Sequence, residues 1–504
     1  MKKKHVIVGS LLVLMAIALG SSLAWWTWST SSNEQTNVVV TVGGITIDYE
    51  DGENITNNNL IPTSTKEKGI SKDITVSSTG QVYLDLNMEV VTLDDGLKDA
   101  SFKYEIYNGS NLERGGNFAN SNTGDNISLL SGVEVTSSPT TYTLYIWIDG
   151  NMSNPNTMYN QNFEFRLNAE ATDEKPNFAK QTLQKLGLTV NEGTPNFSHA
   201  TTRYEGIYKA QDDYGTTYYF RGAAENNYVY FAEYYWRIIR INGDGSIRMI
   251  YDGTSAHTNN EEFNNDRFIG YSMFNYTYGD NTYIGYMTGI DNQCTEEYCA
   301  GTTNTTSYEQ ATSNTYNSVI KTFIDSWYET NIEETGYSEY LADVIYCNDR
   351  SISSGDGYGE NATTYMPSVR KITNNTPVLT CSQKNDAFTV NDTTYGNGML
   401  TYPIGLITSD EAVMAGVTVS SRTETDDRSN YLNSGNMYWT MSPSEFMIDT
   451  TYGHNSAIEH VLYTDSLGGT SMHNNNVAVK PVISLKSSVN LLGQGTMDNP
   501  YVAQ

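Results

Sequence analysis

Positive charge is scarce in this 504-residue sequence, which has 29 lysines and arginines against 58 aspartates and glutamates, for a formal net charge of -29. Such acidity repels nucleic acid and anionic membrane surfaces, so we expect no nucleic-acid partner. Charged residues nevertheless make up only 17% of the chain, whereas aromatic residues make up 12% and include 38 tyrosines. This composition is too aromatic for a disordered acidic tail and predicts folded domains.

Recognisable catalytic signatures are also missing. The sequence contains no nucleophile elbow of a hydrolase, no phosphate-binding P-loop, no H-E-x-x-H motif and no kinase signature. Because it has no C-x-x-C pair, neither a zinc site nor a thioredoxin-like redox centre is expected. Histidines such as His454 and His460 have no companion at helical spacing and are expected to be solvated. The sequence therefore predicts a protein that is not an enzyme and needs no cofactor.

Weak binding of calcium at the surface is the one metal-binding role that the acidic residues suggest. The segment 242–246 resembles the start of a calcium loop, but Ile247 occupies the position that requires glycine. Gly253 occupies the position that requires glutamate, so we interpret the segment as a hairpin turn. Acidic pairs such as Asp212-Asp213 are expected to be solvated turn residues.

Long apolar runs are absent except at the N-terminus, where a short positive region precedes the apolar residues 6–23. This is the pattern of a secretory signal, and small residues up to Ala24 predict cleavage before Trp25. The alternative is an uncleaved membrane anchor, because the apolar stretch reaches Trp28 and has nearly the length of a membrane span. Under either interpretation, residues 1–28 place the rest of the chain outside the cell, secreted or anchored at its surface.

The chain has four cysteines, and an even number in an exported protein predicts disulfides. Cys294 and Cys299 lie in one loop, whereas Cys347 and Cys381 flank another. We therefore expect the pairs Cys294–Cys299 and Cys347–Cys381, with free buried thiols as the alternative.

Alternation of apolar and polar residues marks the first part of the chain, residues 37–172. Half-buried strands at this spacing, separated by turns rich in Gly, Asn, Asp and Ser, are typical of an antiparallel β-sandwich. The clearest alternation runs from Val82 to Val90. Other predicted strands have inward-facing residues that begin at Ile45, Phe102, Tyr142 and Phe163.

Residues 173–200 are predicted to form a helix and a linker that lead to a larger α+β part at 201–488, followed by a tail at 489–504. The larger part has a hairpin around the turn 242–245. A helix is predicted over 315–331, with Ser313 or Asn314 as its N-cap. The remaining predicted elements are a short helix at 409–416 and strands at 438–441 and 477–485. The expected fold class is thus mainly β, with an α+β C-terminal part.

Aromatic rings near the C-terminal end give the best indication of a function. An apolar ring face beside hydrogen-bonding amides is what the recognition of sugars or proteins requires. We predict Tyr431, Tyr452 and Tyr463 as ligand-binding residues at the surface, because they lie among Asn, Ser and His. Trp439 belongs to an alternating strand and is expected in the core instead.

The aromatic boundary Ala24-Trp25-Trp26-Thr27-Trp28, together with the β-rich region that follows it, resembles the biofilm-fibre and camelysin-type proteins of Gram-positive bacteria. The resemblance covers residues 1–172 and implies cleavage before the aromatic residues and a jelly-roll-like sandwich. The resemblance also implies an alternative function. In it, the chain is a structural subunit that self-assembles through the sandwich into an extracellular fibre or matrix.

Four segments of the larger part occur in a specific order: 235–239, 405–411, 438–443 and 479–483. They resemble a domain of unknown function from surface proteins of gut Gram-positive bacteria, which is similar to the C-type-lectin-like fold of formylglycine-generating enzymes. Family members carry Arg where this chain has Lys480, so the resemblance implies a cation and a ligand-binding role there, without bidentate geometry. The catalytic cysteine pair of the enzyme branch has no counterpart near the C-terminus.

From these patterns we expect an exported cell-surface recognition or adhesion protein, with a lectin-like head on a β-sandwich stalk. The expected partner is a neutral glycan or a protein ligand outside the cell, because the acidic chain repels anions. The alternatives are the fibre subunit described above and a cell-wall or glycan-active enzyme.

The first testable prediction concerns processing between Ala24 and Trp25. N-terminal sequencing of the cell-associated protein should find a chain that begins at Trp25, because signal peptidases recognise the small residues before that position. A terminus at Met1 would instead establish the uncleaved anchor.

Overall fold

The computed structural model describes residues 25–29, 37–42, 45–50, 55, 61–150, 158, 161–172, 177–198, 201, 203–259, 261, 264–294, 299–417, 430–449, 454–462 and 466–503. The chain forms two compact units, Met1–Pro176 and Asn177–Gln504. The architecture is mostly β, with 38% strand, 16% helix and several antiparallel sheets. Among the described residues, no helix has the length and apolar character that crossing a bilayer requires.

The first unit consists of two antiparallel sheets. Its strands are β1 (Trp25–Ser29), β2 (Asn37–Val42), β3 (Ile45–Glu50), β4 (Ile70–Ser78), β5 (Val82–Leu93), β6 (Phe102–Asn108), β7 (Asn111–Asn117), β8 (Asn126–Val135), β9 (Thr140–Ile148) and β10 (Phe163–Thr172). Four strands form one sheet in the order β1-β10-β5-β8, and six form the other in the order β2-β3-β4-β9-β6-β7. Short 3-10 turns lie at Lys66–Lys68 and Asp95–Leu97.

The core of the first unit lies between these sheets. Every second side chain of β5 is buried from Val82 to Val90, as the alternation predicts. Phe102 of β6 and Leu144 of β9, which belong to the other sheet, are part of the same buried cluster. The two sheets therefore contribute to one core, as the predicted sandwich requires.

Strand β7 is a strand that the alternation of apolar and polar residues does not predict. It pairs with β6 at the edge of the six-stranded sheet, and almost all of its side chains are exposed. Its sequence includes Gly115 and Gly116 and buries no apolar residue. The strand is held by its backbone hydrogen bonds to β6 and by the Arg114 side chain, which donates to the Ser128 carbonyl at 3.0 Å, so its sequence carries no hydrophobic period.

The second unit combines short helices with many short strands. Its helices are α1 (Phe178–Lys185), α2 (Tyr308–Ala311), α3 (Val319–Tyr328), α4 (Met366–Val369) and α5 (Ser409–Met414). Its strands are β11 (Gly206–Asp212), β12 (Gly215–Arg221), β13 (Tyr228–Phe231), β14 (Tyr234–Ile241), β15 (Ile247–Gly253), β16 (Met287–Thr288), β17 (Tyr316–Asn317), β18 (Tyr346–Cys347), β19 (Ile352–Ser354), β20 (Thr363–Tyr365), β21 (Ala387–Phe388), β22 (Tyr438–Asp449), β23 (His454–Leu462), β24 (Leu467–Ser471), β25 (Val482–Leu485), β26 (Leu491–Leu492) and β27 (Tyr501–Ala503). Single turns of 3-10 helix lie at Asn265–Arg267, Asn281–Ile284, Tyr337–Tyr340 and Lys384–Asp386, and π-helical turns at Glu329–Glu333 and Arg370–Asn374.

Strand β14 is the centre of the larger sheet in this unit. One of its edges pairs with β15, which in turn pairs with β25. Its other partners are β13, near the start of β14, and β12, near the end. Strand β27 runs parallel to β13, whereas the other pairings in this sheet are antiparallel. A second sheet has the order β19-β20-β22-β23-β24.

The core of the second unit contains the tryptophan that the sequence placed there. Trp439 is 0% exposed, so its predicted core position is confirmed. Its ring meets Phe274 edge-on at 5.6 Å, and its indole N–H donates to the Ser272 carbonyl at 2.7 Å. The predicted hairpin at 242–245 is also confirmed, since it joins β14 to β15.

The predicted helix boundaries need one correction. Helix α3 begins at Val319 rather than near residue 315, and its N-cap is Ser318, whose side chain accepts from the Lys321 N–H. Asn314 adopts a left-handed conformation with φ 53°, which no right-handed helix continues. The short helix at 409–416 is confirmed as α5, which Thr408 caps with a full capping box.

The two closing strands also differ in length from the prediction. Strand β22 extends from Tyr438 to Asp449 across irregular pairing at Pro443, beyond the predicted end at 441. Strand β25 is shorter than the predicted 477–485 because it begins only at Val482, after Pro481. A proline has no N–H for the ladder, so a strand that starts directly after it is expected.

The β13–β14 turn has an unusual composition. Ala232 and Glu233 form a two-residue loop with φ angles of 54° and 66°. Both central residues of a type I′ turn need positive φ, which normally selects Asn and Gly. A side chain in this region costs about 1–2 kcal/mol per residue.

Replacing Glu233 by Gly should therefore stabilise the second unit. We expect Glu233→Gly to raise the free energy of unfolding by about 1 kcal/mol relative to Glu233→Ala, which loses the same charge but keeps a β-carbon. Denaturant titration of both variants measures this difference. Equal stabilities would mean that this turn carries no backbone strain.

Candidate ligand-binding cleft

The structure corrects the expected surface position of Tyr431. This side chain is 1% exposed, and its ring centroid lies 5.7 Å from the buried guanidinium of Arg237. Burial strongly raises the pKa of its hydroxyl. A ring enclosed in the core offers no face to an external ligand. Tyr452 and Tyr463 lie outside the described residues, so their role stays a prediction.

Lys480 is buried as well and contacts an internal carboxylate rather than solvent. It is 1% exposed, and its Nζ lies 3.2 Å from Oδ1 of Asp252. Arg267 binds the same oxygen at 2.7 Å. Burial lowers the pKa of Lys480 to about 7, which Asp252 opposes and Arg267 reinforces. The expected ligand-binding role of Lys480 is therefore corrected to an internal ion-pairing role.

A polar cleft opens elsewhere in the second unit. It encloses about 480 Å³, including its open mouth. Its lining comes from segments 212–214, 345–349, 378–380 and 408–411, together with Arg240, Arg248, Arg370 and Ser442. Five carboxylates and three guanidinium groups line the cleft, which leaves a formal excess of two negative charges.

Buried ion pairs form the floor of the cleft. Glu411 Oε1 lies 2.6 Å from Arg248 Nε and 3.0 Å from Arg240 Nε. Arg240 also reaches Asp212 through Nη1 at 2.6 Å. Burial alone would raise the pKa of Glu411, but the two arginines lower it below its usual range. The capping box at Thr408 positions Glu411 at the start of α5.

A second ion-paired group forms one side of the cleft. Arg370 binds Asp410 in a bidentate manner, at 2.9 Å through Nε and 2.8 Å through Nη2. The same Nη2 lies 2.6 Å from Asp349, whose other oxygen accepts from the Ser382 hydroxyl at 2.6 Å. Asp349 and Asp410 thus share one guanidinium group, which leaves this group of three residues with a formal charge of -1.

The wall at 378–381 is held in place by two links. The Cys347–Cys381 disulfide joins it to β18, with 5.6 Å between the Cα atoms. A β-bridge pairs Leu379 with Asp212. The other expected disulfide, Cys294–Cys299, is present too, so the structure pairs all four cysteines as the sequence predicted.

Asp213 lies at the mouth of the cleft, in the two-residue turn between β11 and β12. It is half-buried, and its carboxylate accepts from the backbone N–H of Cys381 at 2.9 Å. Burial raises the pKa of this carboxyl group, although the hydrogen bond from Cys381 opposes the shift. The sequence correctly placed the Asp212-Asp213 pair in a turn, but the prediction that both residues are solvated is wrong.

Tyrosine rings stand beside Asp213. Tyr214 lines the cleft, and its hydroxyl accepts from the Ile345 N–H at 3.0 Å. Its ring centroid lies 4.9 Å from that of Tyr395, which is 43% exposed. An aromatic surface next to hydrogen-bonding groups is therefore present, though at other residues than the sequence suggested.

His257 lies at the centre of a second polar cluster. Its Nδ1 lies 2.8 Å from Glu261 and its Nε2 lies 2.8 Å from Asp266. Ser255 is 3.3 Å from Nε2 but donates to Asp266 at 2.9 Å. Because Ser255 donates its one hydroxyl proton to Asp266, it does not donate to the ring, and the cluster lacks the serine-to-histidine hydrogen bond of a catalytic triad. Among the described residues no group of His, Cys, Asp and Glu is arranged to hold a metal ion.

The two disulfides should differ in their contribution to stability. Cys347 and Cys381 close a loop of 34 residues, and replacing both by Ser should cost about 3–4 kcal/mol from the chain entropy of the unfolded state. The matched pair Cys294→Ser and Cys299→Ser opens a separation of 5 residues and should cost only about 2 kcal/mol. Denaturant unfolding of the two double variants tests this order. Equal losses would contradict it, as would peptide mapping that finds free thiols in the parent protein.

The comparisons with known proteins do not add to this geometry. No family model, no curated protein and no solved structure matches the chain. The resemblances to camelysin-type proteins and to the lectin-like domain therefore rest on the motif residues alone. The function has to be inferred from the cleft and from the chemistry of its lining.

Proposed function

We propose that this protein is an exported cell-surface recognition protein, in which the second unit is a lectin-like domain that binds a polar ligand in the cleft. The observation that carries the proposal is the lining of the cleft, where carboxylates, guanidinium groups and hydroxyls stand beside the ring of Tyr214. Hydrogen-bonding groups held in fixed positions next to an aromatic ring are what the recognition of a hydroxyl-rich ligand requires.

Export is supported by two independent features. The first 24 residues have the charge and hydropathy pattern of a secretory signal. The paired cysteines agree with an oxidising location, because disulfides persist outside the cytosol and are rare within it.

Binding is supported by the way the charged groups of the cleft are engaged. The carboxylates of Glu411 and Asp410 bind arginines that are themselves buried or nearly so. Ion pairs of this kind hold the carboxylates in fixed positions, which suits the recognition of a ligand.

The net negative charge of the cleft sets the class of ligand. A formal excess of two negative charges disfavours phosphate, sulfate and uronate groups. Neutral glycans and basic patches of proteins are the partners that remain compatible with it.

An array of glycans and extracellular proteins, probed with the whole protein, tests this proposal. Thr380 is exposed and lines the cleft, so Thr380→Trp should fill its mouth and reduce binding by about tenfold or more without loss of thermal stability. Thr322→Trp is the matched control, because Thr322 is exposed on α3 and does not line the cleft.

Two outcomes would contradict the proposal. The first is binding by Thr380→Trp that equals binding by the parent. The second is an array on which the parent protein binds nothing.

A further inference from the structure

One carboxylate of the cleft differs from the other four. Asp212, Asp349, Asp410 and Glu411 each form an ion pair with an arginine. Within the described part of the chain, Asp213 forms no ion pair, and its carboxylate accepts from the backbone N–H of Cys381 and from its own backbone N–H. The three arginines of the lining are already shared among the other carboxylates, so none of them is available to neutralise Asp213.

The position of Asp213 makes this difference relevant to a ligand. The residue lines the open cleft at the turn between β11 and β12, and its carboxylate retains acceptor capacity beyond the bond from Cys381. The Cys347–Cys381 disulfide and the bridge from Leu379 to Asp212 hold this geometry from both sides. The acceptor is therefore fixed in place before a ligand arrives, which limits the entropy lost on binding.

Three further carboxylates act electrostatically on Tyr214 and so add negative potential to this part of the lining. Asp244, Asp343 and Asp392 all lie close enough to Tyr214 to raise the pKa of its hydroxyl, although burial raises it most. Arg240, which acts electrostatically on Asp213, is itself bound to Asp212 and Glu411.

A calcium ion does not fit this arrangement. Calcium takes about 6–8 oxygen ligands, whereas the other lining carboxylates are occupied by arginines. A ligand with one positive group and its own hydrogen-bond donors needs only a single free carboxylate and an adjacent ring face.

We propose that the cleft selects ligands with a primary ammonium group, which donates to Asp213 and packs against the ring of Tyr214. This inference rests on the proposed binding function and narrows it from neutral or basic ligands to amine-bearing ones. Two sources share this chemistry, namely amino sugars and lysine side chains, and the cleft recognises the ammonium group of either.

Matched pairs of small probes test the inference by calorimetric titration into the whole protein at neutral pH and low salt. Glucosamine is compared with N-acetylglucosamine, and Nα-acetyl-lysine amide with Nα-acetyl-norleucine amide. In at least one pair the ammonium member should bind about tenfold more tightly, as expected for one charge-assisted hydrogen bond. The pair that shows the preference identifies the source, and added salt should weaken that preference.

Asp213→Asn should abolish the preference, because the amide is nearly isosteric but carries no charge. Asp356→Asn is the matched control: Asp356 is exposed, it does not line the cleft, and its substitution changes the net charge by the same amount. The control should keep the full preference of the parent protein.

The inference is overturned if the members of both pairs bind equally, if neither ammonium probe binds, or if Asp213→Asn keeps the preference. These results are distinct from a failure of the proposed function. If Thr380→Trp abolishes binding to the array ligand but the parent protein shows no preference for the ammonium probes, the proposed binding function stands. Only the role assigned to Asp213 is then refuted.

Discussion

The ion pairs of Glu411 are the interaction on which the architecture around the cleft depends. This carboxylate is buried together with Arg240 and Arg248, and it joins helix α5 to the central strands β14 and β15. Helix α5 has only six residues, too few to be stable without tertiary contacts. Because loss of one member of a buried pair leaves an uncompensated charge, at a cost of about 3–5 kcal/mol, these residues constrain each other strongly. Arg240 extends the constraint to Asp212, and thereby to the turn that carries Asp213.

Much of the fold could be predicted from the sequence, because an element with one buried face has apolar residues at regular intervals along the chain. The alternation from Val82 to Val90 predicts a strand of the first unit, and Trp439 is buried as its strand pattern indicates. Strand β7 could not be found in this way, since it buries no apolar side chain. The start of α3 was misplaced because a left-handed Asn314 cannot be distinguished from an N-cap by residue type alone.

The candidate site was much harder to predict. Tyrosine serves in this chain as a core residue as well as a surface residue: Tyr438 is fully buried and satisfies its hydroxyl with the Leu432 carbonyl. The abundance of tyrosine therefore did not indicate exposure, and Tyr431 was misplaced for that reason. The cleft depends instead on contacts between distant residues, such as Arg240 with Glu411, whose separation of 171 positions leaves no local pattern. The sequence does place Asp213 in a turn between two strands. That this carboxylate has no cationic partner among the described residues can be seen only in the three-dimensional structure.

The parallel pairing of β13 with β27 has a consequence for the order in which the second unit can assemble. Val229 lies near the start of this unit and pairs with Tyr501, close to its other end. For a chain that crosses a membrane with its N-terminus first, the edge of β13 stays unpaired until almost the whole unit has emerged. In such a chain folding cannot be completed before β27 has emerged, and until then this strand edge of β13 remains available to other chains.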